Sequence, residues 1–201
     1  PDGSLARGWL AIGGTWYYLD PESGVMHTGW VKVDGLWYWL DSSGAMATGW
    51  TTIGSTRWQL DDYTGALHEP EQTPRTDLQR RVVDAARNTP SPGGNLCAMW
   101  VSQVFSRAGL GYPEGNACDM FWQWCNQSDL NNLRVGMIVA VPSHTHTYMG
   151  GIYGHVCIYI GGGMIMDNVG YVRTMSLNDW LSYYTTSYSP QWGWCNWQAL
   201  E

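Results

Sequence analysis

Short apolar, aromatic-rich stretches separated by polar and glycine residues form three similar segments in the first third of the chain, and the segments recur with a period of about 20 residues. Each segment has a Gly-Trp pair, and in the first two segments an aromatic run follows it, Trp16-Tyr17-Tyr18 and Trp37-Tyr38-Trp39. Residues two apart share one face of an extended strand, and the intervening Gly and Asp residues are typical of tight turns. The pattern therefore predicts β-hairpins, which must stack into a solenoid because one hairpin alone is marginally stable in water.

A polar, proline-spaced stretch separates the hairpins from the rest of the chain. We therefore predict a repeat domain over residues 1–68, a linker over 69–76 and a second domain over 77–201. Residues 2–9 match residues 23–30 position by position, which indicates that the chain begins inside a repeat unit and that more units precede it in the parent protein. The second domain, about 125 residues long, can form a core of its own.

The second domain begins with helical periodicity and continues with strands. Thr76 is a suitable N-cap for a helix over residues 77–87, and apolar residues at spacings of three and four predict a buried helix within residues 95–109. Apolar runs predict strands over residues 134–141 and 154–163, with an antiparallel return over 164–168.

Cys97 and His155 are the candidate catalytic pair. Cys97 lies in the first turn of a predicted helix, where unpaired N–H groups and the helix dipole stabilise a thiolate. His155 begins an apolar strand, where an unpartnered ring would cost about 1–3 kcal/mol. A thiolate on one side of the ring and a carboxylate or amide on the other would satisfy both nitrogens, which is the arrangement of nucleophile, base and orienting group.

The hairpin segments resemble the cell-wall-binding repeats of the choline-binding and glucan-binding type found on Gram-positive surface enzymes. The matching words are Gly-Trp, Trp-Tyr-Tyr-Leu-Asp and Ser-Ser-Gly-Ala-Met-Ala-Thr-Gly-Trp. In choline-binding relatives, aromatic side chains of adjacent repeats hold a quaternary ammonium group by cation–π attraction. The resemblance implies two such cages, the first from Trp16, Tyr18 and Trp30, and the second from Trp37, Trp39 and Trp50.

The third unit departs from this pattern, because Arg57 and Gln59 stand where the first two units have aromatic residues. We therefore expect no cation cage in that unit. Two alternatives stay open for the whole array. The aromatic side chains could serve only to pack the solenoid, or the ligand could be a glucan, since flat rings also stack on sugars.

The second domain resembles the papain-like NlpC/P60 and CHAP group of bacterial cysteine peptidases and amidases, through Cys-Ala-Met-Trp-Val-Ser-Gln-Val-Phe-Ser-Arg-Ala-Gly-Leu and Gly-His-Val-Cys-Ile-Tyr-Ile-Gly-Gly-Gly. The resemblance implies an α+β papain-like fold, with N-terminal helices packed on an antiparallel sheet and no cofactor. It implies Cys97 as nucleophile, His155 as base and Asp167 as the third catalytic residue, with Asn168 as the alternative. The usual Asp-Cys-Ser is Leu96-Cys97-Ala98 here, and a Tyr that often precedes the Cys has no counterpart.

Two other groups of residues have candidate roles. His144 and His146 could hold a metal, but this signal is weak, and a solvated loop beside the cleft is the favoured interpretation, so we predict no metal site. Cys118 and Cys125 are seven apart on a predicted helix, which places their Cα atoms about 10 Å apart, too far for a disulfide. Apart from Cys97, four cysteines allow three pairings, which the sequence leaves open: Cys118, Cys125, Cys157 and Cys195.

The net charge of the chain limits the classes of binding partner. The net charge of −7 divides into −5 for residues 1–70, with three Lys/Arg against eight Asp/Glu, and −2 for the remainder, with seven against nine. An acidic repeat region repels phosphate backbones and suits a cationic ligand, so a nucleic-acid partner is excluded. No apolar run approaches the roughly 18 residues of a membrane span. The chain shows no signal peptide, which we attribute to its starting within a repeat.

These inferences predict a secreted, wall-associated bacterial hydrolase. Its cysteine would attack an amide bond in peptidoglycan stem peptides, and its repeats would bind a wall polymer, either choline-bearing teichoic acid or a glucan. Two alternatives remain: a surface adhesin whose second domain has lost turnover, and an acyltransferase on the same scaffold.

Overall fold

The computed structural model describes residues 6–54, 56–69 and 72–200. The chain divides into two compact units, Pro1–His68 and Glu69–Glu201. Residues 2–5, the first half of the segment that matches the second repeat, lie outside this description, and so do Pro70 and Glu71 of the predicted linker. Within the described residues, no helix has both the length and the apolar character that a membrane crossing requires.

The first unit consists of two-stranded antiparallel hairpins, one for each repeat, as the alternation predicts. Their strands are β1 (Gly8–Ile12), β2 (Thr15–Leu19), β3 (Gly29–Val33), β4 (Leu36–Leu40), β5 (Gly49–Ile53) and β6 (Thr56–Leu60). The register is the same in each hairpin, since Trp9 pairs with Tyr18, Trp30 with Trp39 and Trp50 with Gln59. The tryptophan of each Gly-Trp pair therefore lies opposite the fourth residue of the following strand.

Successive repeats are joined by backbone hydrogen bonds and by buried side chains. The N–H of Met46 donates to the carbonyl of Trp16 at 2.8 Å, and the N–H of Leu67 donates to that of Trp37 at 2.8 Å. Tyr18, Val31 and Leu40 form a small buried core. Each hairpin therefore depends on its neighbours for hydrogen bonds and for apolar burial, as expected for a solenoid.

The described part of the second unit contains helices α1 (Asp77–Asn88), α2 (Cys97–Arg107), α3 (Ala117–Trp124), α4 (Tyr148–Tyr153) and α5 (Leu177–Tyr184). Its strands are β7 (Ile138–Val141), β8 (His155–Gly161), β9 (Met164–Asn168), β10 (Val172–Ser176) and β11 (Gln191–Gly193). Short 3₁₀ turns occupy Leu130–Asn132 and Cys195–Trp197. The strands form one antiparallel sheet in the order β10-β9-β8-β7-β11.

The helices that precede the sheet pack on it, so the second unit is an α+β domain. Helix α2 contacts β8 and β9, and α3 contacts β7 and β8. The core includes the fully buried Trp100 and Val104 of α2 and Ile158 of β8. Because α2 lies directly on the central strands, its first residue is brought to the ends of those strands.

Most predicted elements are present, with shifted ends. Thr76 caps α1 with a capping box, as predicted. The first predicted strand is wrong over residues 134–137, where Gly136 has a φ of +90° and the N–H of Met137 bonds to the carbonyl of Arg134. This turn delays the strand until Ile138. At the C-terminal end, β11 includes Trp192 and stops at Gly193, before the short turn over Cys195–Trp197.

Candidate active site

Cys97 is the first residue of α2, and its helix begins without a side-chain cap. The N-cap position is Leu96, whose side chain makes no capping hydrogen bond. The preceding residue Asn95 has a φ of +60°, which turns the chain sharply into the helix. The backbone N–H groups at the start of α2 therefore remain available to a negatively charged or polar group.

His155 is the first residue of β8 and is placed there by Gly154. That glycine has a φ of +71° and ends α4, and a Cβ at this position would overlap the backbone of Val141 and Pro142. A glycine is thus required where the chain leaves α4 and enters the sheet. The buried ring of His155 hydrogen-bonds the Cys97 side chain and, through Nε2, the Oδ2 of Asp167 at 2.8 Å. Since Nε2 faces Asp167, Nδ1 is the nitrogen left for Cys97.

Asp167 is fully buried on β9 and has partners for both of its carboxylate oxygens. Besides His155, its partners are Arg173 and Trp180: Arg173 Nε lies 2.8 Å from Oδ1, Arg173 Nη2 lies 3.0 Å from Oδ2, and Trp180 Nε1 lies 3.2 Å from Oδ2. A bidentate guanidinium group holds a carboxylate in one orientation. Asp167 can therefore fix both the position and the tautomer of His155.

The electrostatics of the pair favour a thiolate and an imidazolium. Burial disfavours the charged thiolate, but the positive charge and hydrogen bond of His155, together with hydrogen bonds from the backbone N–H groups of Val156 and Ala98, lower the pKa of Cys97. Burial likewise disfavours the imidazolium, yet the Cys97 thiolate and the hydrogen bond to Asp167 raise the pKa of His155 to about 9. Because the two shifts run in opposite directions, the proton belongs on His155 at neutral pH.

Asn168 points away from His155 and holds the loop before Cys97. Its Oδ1 accepts a hydrogen bond from Ser91 Oγ at 2.5 Å, and its Nδ2 donates to the carbonyl of Gly93 at 2.7 Å. The structure thus brings Asp167, and not the alternative Asn168, to the histidine. Asn168 instead ties the loop over residues 91–94 to the sheet.

The pair lies in a cleft of about 470 Å³. One wall comes from the start of α2 and the segment that includes Tyr112 and Glu114, and another comes from His144, α4 and His155. Glu114 is exposed, and no Lys or Arg is among the described residues that line the cleft. The ion pair is therefore accessible from an open, weakly acidic groove.

The cysteines other than Cys97 have the character of unreactive thiols. Burial raises the pKa of Cys125, Cys157 and Cys195. Burial also raises the pKa of the half-buried Cys118, and the negative charge of Asp119 adds to this effect. All of the cysteines are free in this structure. Cys97 is thus the one cysteine whose surroundings favour the thiolate.

His144 and His146 lie in the loop after β7, at the edge of the cleft. Their rings are 5.4 Å apart, and His146 stacks on Tyr183 at 3.8 Å. Within the described part of the chain, no three His, Cys, Asp or Glu side chains are grouped closely enough to hold a metal ion. The two histidines lie in a loop beside the cleft, as predicted, but His144 is buried, so the loop is not solvated at that position.

The predicted cage residues differ in exposure. Trp16 is 43% exposed and Trp37 is 38% exposed, whereas Tyr18 is buried. Among the described residues, Tyr18 contacts the rings of Trp9 and His27, and Trp30 contacts those of Trp39 and Trp58. A cage holds its cation between separated rings, so the assignment of the two cages stays a prediction. The exposed indoles are the side chains best placed to contact a ligand.

Two indole rings of the repeats make cation–π contacts with a positively charged side chain of the same unit. Lys32 Nζ lies 5.5 Å from the ring centre of Trp37, and Arg57 Cζ lies 4.5 Å from that of Trp50. Arg57 occupies the position at which the first two repeats have a tryptophan. It therefore provides Trp50 with an internal cation–π partner within the third repeat.

Sequence reasoning missed Arg173, Trp180 and Tyr184 around the candidate triad. Arg173 pairs with Asp167 in the register of β9 and β10, and Tyr184 stacks on His155 at 4.6 Å. Arg173 Nη2 also lies 3.3 Å from the Tyr184 hydroxyl. The alternation of apolar and polar residues along β10 could have indicated a strand, but only its register with β9 shows that Arg173 lies opposite Asp167.

Comparisons with known proteins concern the hairpin unit. Residues 27–68 match a family model described as a choline-binding repeat, and residues 8–26 match one described as a putative cell wall binding repeat. These matches and the stacked hairpins define a cell-wall-binding repeat module. Specifically, residues 8–68 belong to the choline-binding repeat family. No curated protein matches the chain.

Several solved structures resemble the chain over about a third of its length. CbpJ from Streptococcus pneumoniae TIGR4 is 46% identical over 35% of this chain and 24% of that chain, with a TM-score of 0.32. The modular Cpl-1 endolysin, of phage Cp-1, complexed with a peptidoglycan analogue, is 42% identical over 34% of this chain and 20% of that chain, with a TM-score of 0.31. The choline binding domain of Spr1274 in Streptococcus pneumoniae is 33% identical over 34% of this chain and 82% of that chain, with a TM-score of 0.31. The chain spans about a quarter of the length of CbpJ.

Proposed function

We propose that this protein is a secreted cell-wall hydrolase of the papain-like, NlpC/P60 type, which cleaves an amide bond in peptidoglycan stem peptides and is held at the wall by its repeats. The observation that supports the hydrolase is the hydrogen-bonded series Cys97, His155 and Asp167 in an open cleft. A thiolate at a helix start, paired with an oriented histidine, is suited to attack a carbonyl carbon. The matches to choline-binding repeats support the tether.

The reaction would proceed through an acyl-enzyme. The Cys97 thiolate attacks the amide carbon, and the backbone N–H of Cys97 donates to the oxygen that becomes negative. The His155 imidazolium then gives its proton to the leaving nitrogen as the C–N bond breaks. Neutral His155 next takes a proton from water, the hydroxide attacks the thioester, and the acid product leaves as Cys97 is restored.

Asp167 would act on His155 and not on the substrate. It is fully buried, and its hydrogen bond to Nε2 leaves Nδ1 directed at Cys97. Its negative charge stabilises the imidazolium that supplies the leaving-group proton. Arg173 and Trp180 restrain the carboxylate by donating to its oxygens, so they would be positioning residues.

The proposal is tested by incubating purified peptidoglycan with the protein and with its Cys97→Ala variant, and by reading the released fragments by mass spectrometry. We expect stem-peptide fragments from the parent protein only, each heavier than the unreacted segment by water. Fragments that instead carry an added amine would indicate an acyltransferase. If neither protein releases fragments while both sediment with the walls, the hydrolase assignment is wrong and the adhesin is favoured.

For the repeats we propose choline as the ligand, because the region is acidic and its matched families are choline-binding and cell wall binding repeats. CbpF and the Cp-1 endolysin, which resemble this region, have been solved with ipratropium and with choline, respectively. Both of these ligands carry a quaternary ammonium group. A glucan would instead bind by stacking alone, without dependence on a positive charge.

Replacing the exposed Trp16 with alanine is expected to weaken binding to a choline-substituted resin by roughly 5- to 30-fold, because about 1–2 kcal/mol of cation–π attraction is lost. The concentration of free choline that elutes the protein would fall accordingly. Tyr63→Ala is the matched control, since Tyr63 is a 90% exposed aromatic residue of the same unit outside the predicted cages. Equal elution of both variants and the parent would contradict the cage, and elution by a glucan alone would favour the other ligand.

A further inference from the structure

His144 is a buried histidine in the cleft that the proposed reaction does not use. It follows β7 and is 5% exposed. Its ring lies 6.3 Å from that of His155 and 5.0 Å from that of Tyr184, edge-on to both. Together with Gly154 and Thr147, it forms the wall of the cleft on the His155 side.

The hydrogen bonds of His144 determine which ring nitrogen carries its proton. The backbone N–H of His146 donates to His144 Nδ1 at 3.3 Å, so Nδ1 is an acceptor. Burial, together with the electrostatic effect of the neighbouring His155 and His146 rings, lowers the pKa of His144 to about 4, so the ring is neutral at pH 7. In a neutral imidazole with an unprotonated Nδ1, the proton is on Nε2. Within the described residues, this Nε2–H has no hydrogen-bond partner.

The ring is also held in place. The backbone N–H of His144 donates to the carbonyl of Gly150 at 3.0 Å, and Thr147 caps the helix that contains Gly150. A Cβ at position 150 would overlap the imidazole ring, so the glycine leaves room for it. His144 is thus a fixed, uncharged donor that faces the cleft, which is the property of a residue that selects its ligand by a hydrogen bond.

We propose that His144 determines substrate specificity by donating its Nε2–H to an amide carbonyl oxygen in the leaving-group half of the peptide. The inference rests on the proposed hydrolase function. His155 delivers its proton to the leaving nitrogen, so the wall that His155 shares with His144 flanks that half of the substrate. The donor is uncharged and Glu114 lines the same cleft, so a neutral carbonyl fits better than a carboxylate. The enzyme would accordingly cut within a peptide and would not remove its terminal residue.

The first experiment compares hydrolysis of soluble muropeptides by the parent protein, His144→Phe and His144→Gln. We expect His144→Phe to lower kcat/KM by roughly 10- to 100-fold, because a buried substrate oxygen loses its donor. His144→Gln keeps a neutral N–H donor and should retain most of the activity. The rate at which Cys97 reacts with dipyridyl disulfide should be unchanged in both variants. A parallel fall of that rate would show a structural role and overturn the assignment.

The second experiment locates the contact. It uses two synthetic peptides with the same acyl half, one continuing past the cleaved bond as an amidated residue and one ending there as a primary amide. The His144→Phe defect should appear with the longer peptide only. Equal defects on both peptides, or none on either, would overturn the proposal while leaving the hydrolase intact. If the parent protein cleaves neither muropeptides nor peptides, the hydrolase function itself fails, and this inference fails with it.

Discussion

Replacement of Arg173 with methionine is expected to lower the free energy of unfolding of the second domain by about 2–4 kcal/mol. It is also expected to reduce hydrolysis roughly 100-fold, because the catalytic geometry loosens. The Asp167 carboxylate is fully buried, and the variant would leave its Oδ1 without the guanidinium that lies 2.8 Å away in the parent. Denaturant unfolding and the peptidoglycan assay measure the two effects.

The pH dependence of the Arg173 effect distinguishes a lost charge pair from lost packing. Hydrogen bonds from His155 and Arg173 outweigh burial and lower the pKa of Asp167 in the folded protein. A carboxyl group with a lowered pKa stabilises the fold above its unfolded value of about 3.9, and this stabilisation is lost as the pH falls. The difference in stability between the parent and Arg173→Met should therefore shrink below about pH 4.

Two variants control this experiment. Arg107→Met removes an exposed arginine whose side chain donates to the carbonyl of Asn88 at 3.3 Å, so little change is expected. Arg173→Lys keeps the positive charge but loses the bidentate contact, so its stability should fall less than that of Arg173→Met. A pH-independent loss in Arg173→Met would contradict the charge-pair account.

Replacement of His155 with glutamine is expected to slow the alkylation of Cys97 by iodoacetamide roughly 10- to 100-fold at about pH 6. Burial disfavours the Cys97 thiolate, but the charge and hydrogen bond of His155, with the backbone N–H groups of Val156 and Ala98, lower the pKa of Cys97, so the parent keeps its thiolate below the ordinary thiol range. A thiol with a pKa of about 8.5 would be only roughly 0.3% ionised at pH 6. The lower intrinsic reactivity of a low-pKa thiolate offsets part of this difference.

The pH dependence of Cys97 alkylation follows from the lowered pKa of Cys97 and the raised pKa of His155. In the parent, rapid alkylation should persist as the pH falls, down to the lowered pKa of Cys97. In His155→Gln, the rate should increase only as the pH approaches or exceeds the ordinary thiol value. Cys97→Ala identifies labelling at other cysteines, and His27→Ala, in the repeat unit, serves as the histidine control. A shallow profile shared by the parent and His155→Gln would show that the two residues do not form an ion pair.

Much of the fold follows from local patterns. Alternation and turn residues predict the hairpins, and the period of three and four predicts α2 with Cys97 in its first turn. The hairpins and α2 depend mainly on residues that are close together in the chain, so they can be predicted directly from the sequence. The family resemblance of the repeats is confirmed over residues 8–68. The peptidase resemblance remains a proposal, supported by the geometry of the cleft.

Sequence patterns predicted the exact ends of the strands, and the residues that contact the candidate triad, less well. A strand was predicted from Arg134, but Gly136 adopts a left-handed turn that an apolar pattern does not reveal. The choice between Asp167 and Asn168 depended on which face of β9 meets His155. Arg173 was missed, because its contact with Asp167 is set by the pairing of β9 with β10.

Local sequence patterns were enough to predict the two-part organisation, the stacked hairpins, the helix with Cys97 in its first turn and the candidate residues for nucleophilic chemistry. The contacts of Asp167 with His155, of Asn168 with the loop before Cys97 and of Arg173 and Trp180 with the carboxylate became visible only in the folded domain, as did the position of His144 in the cleft wall. Periodicity is a local property that one segment can display alone. Partnership between distant side chains depends on strand register and helix docking, which are set by the packing of the whole domain.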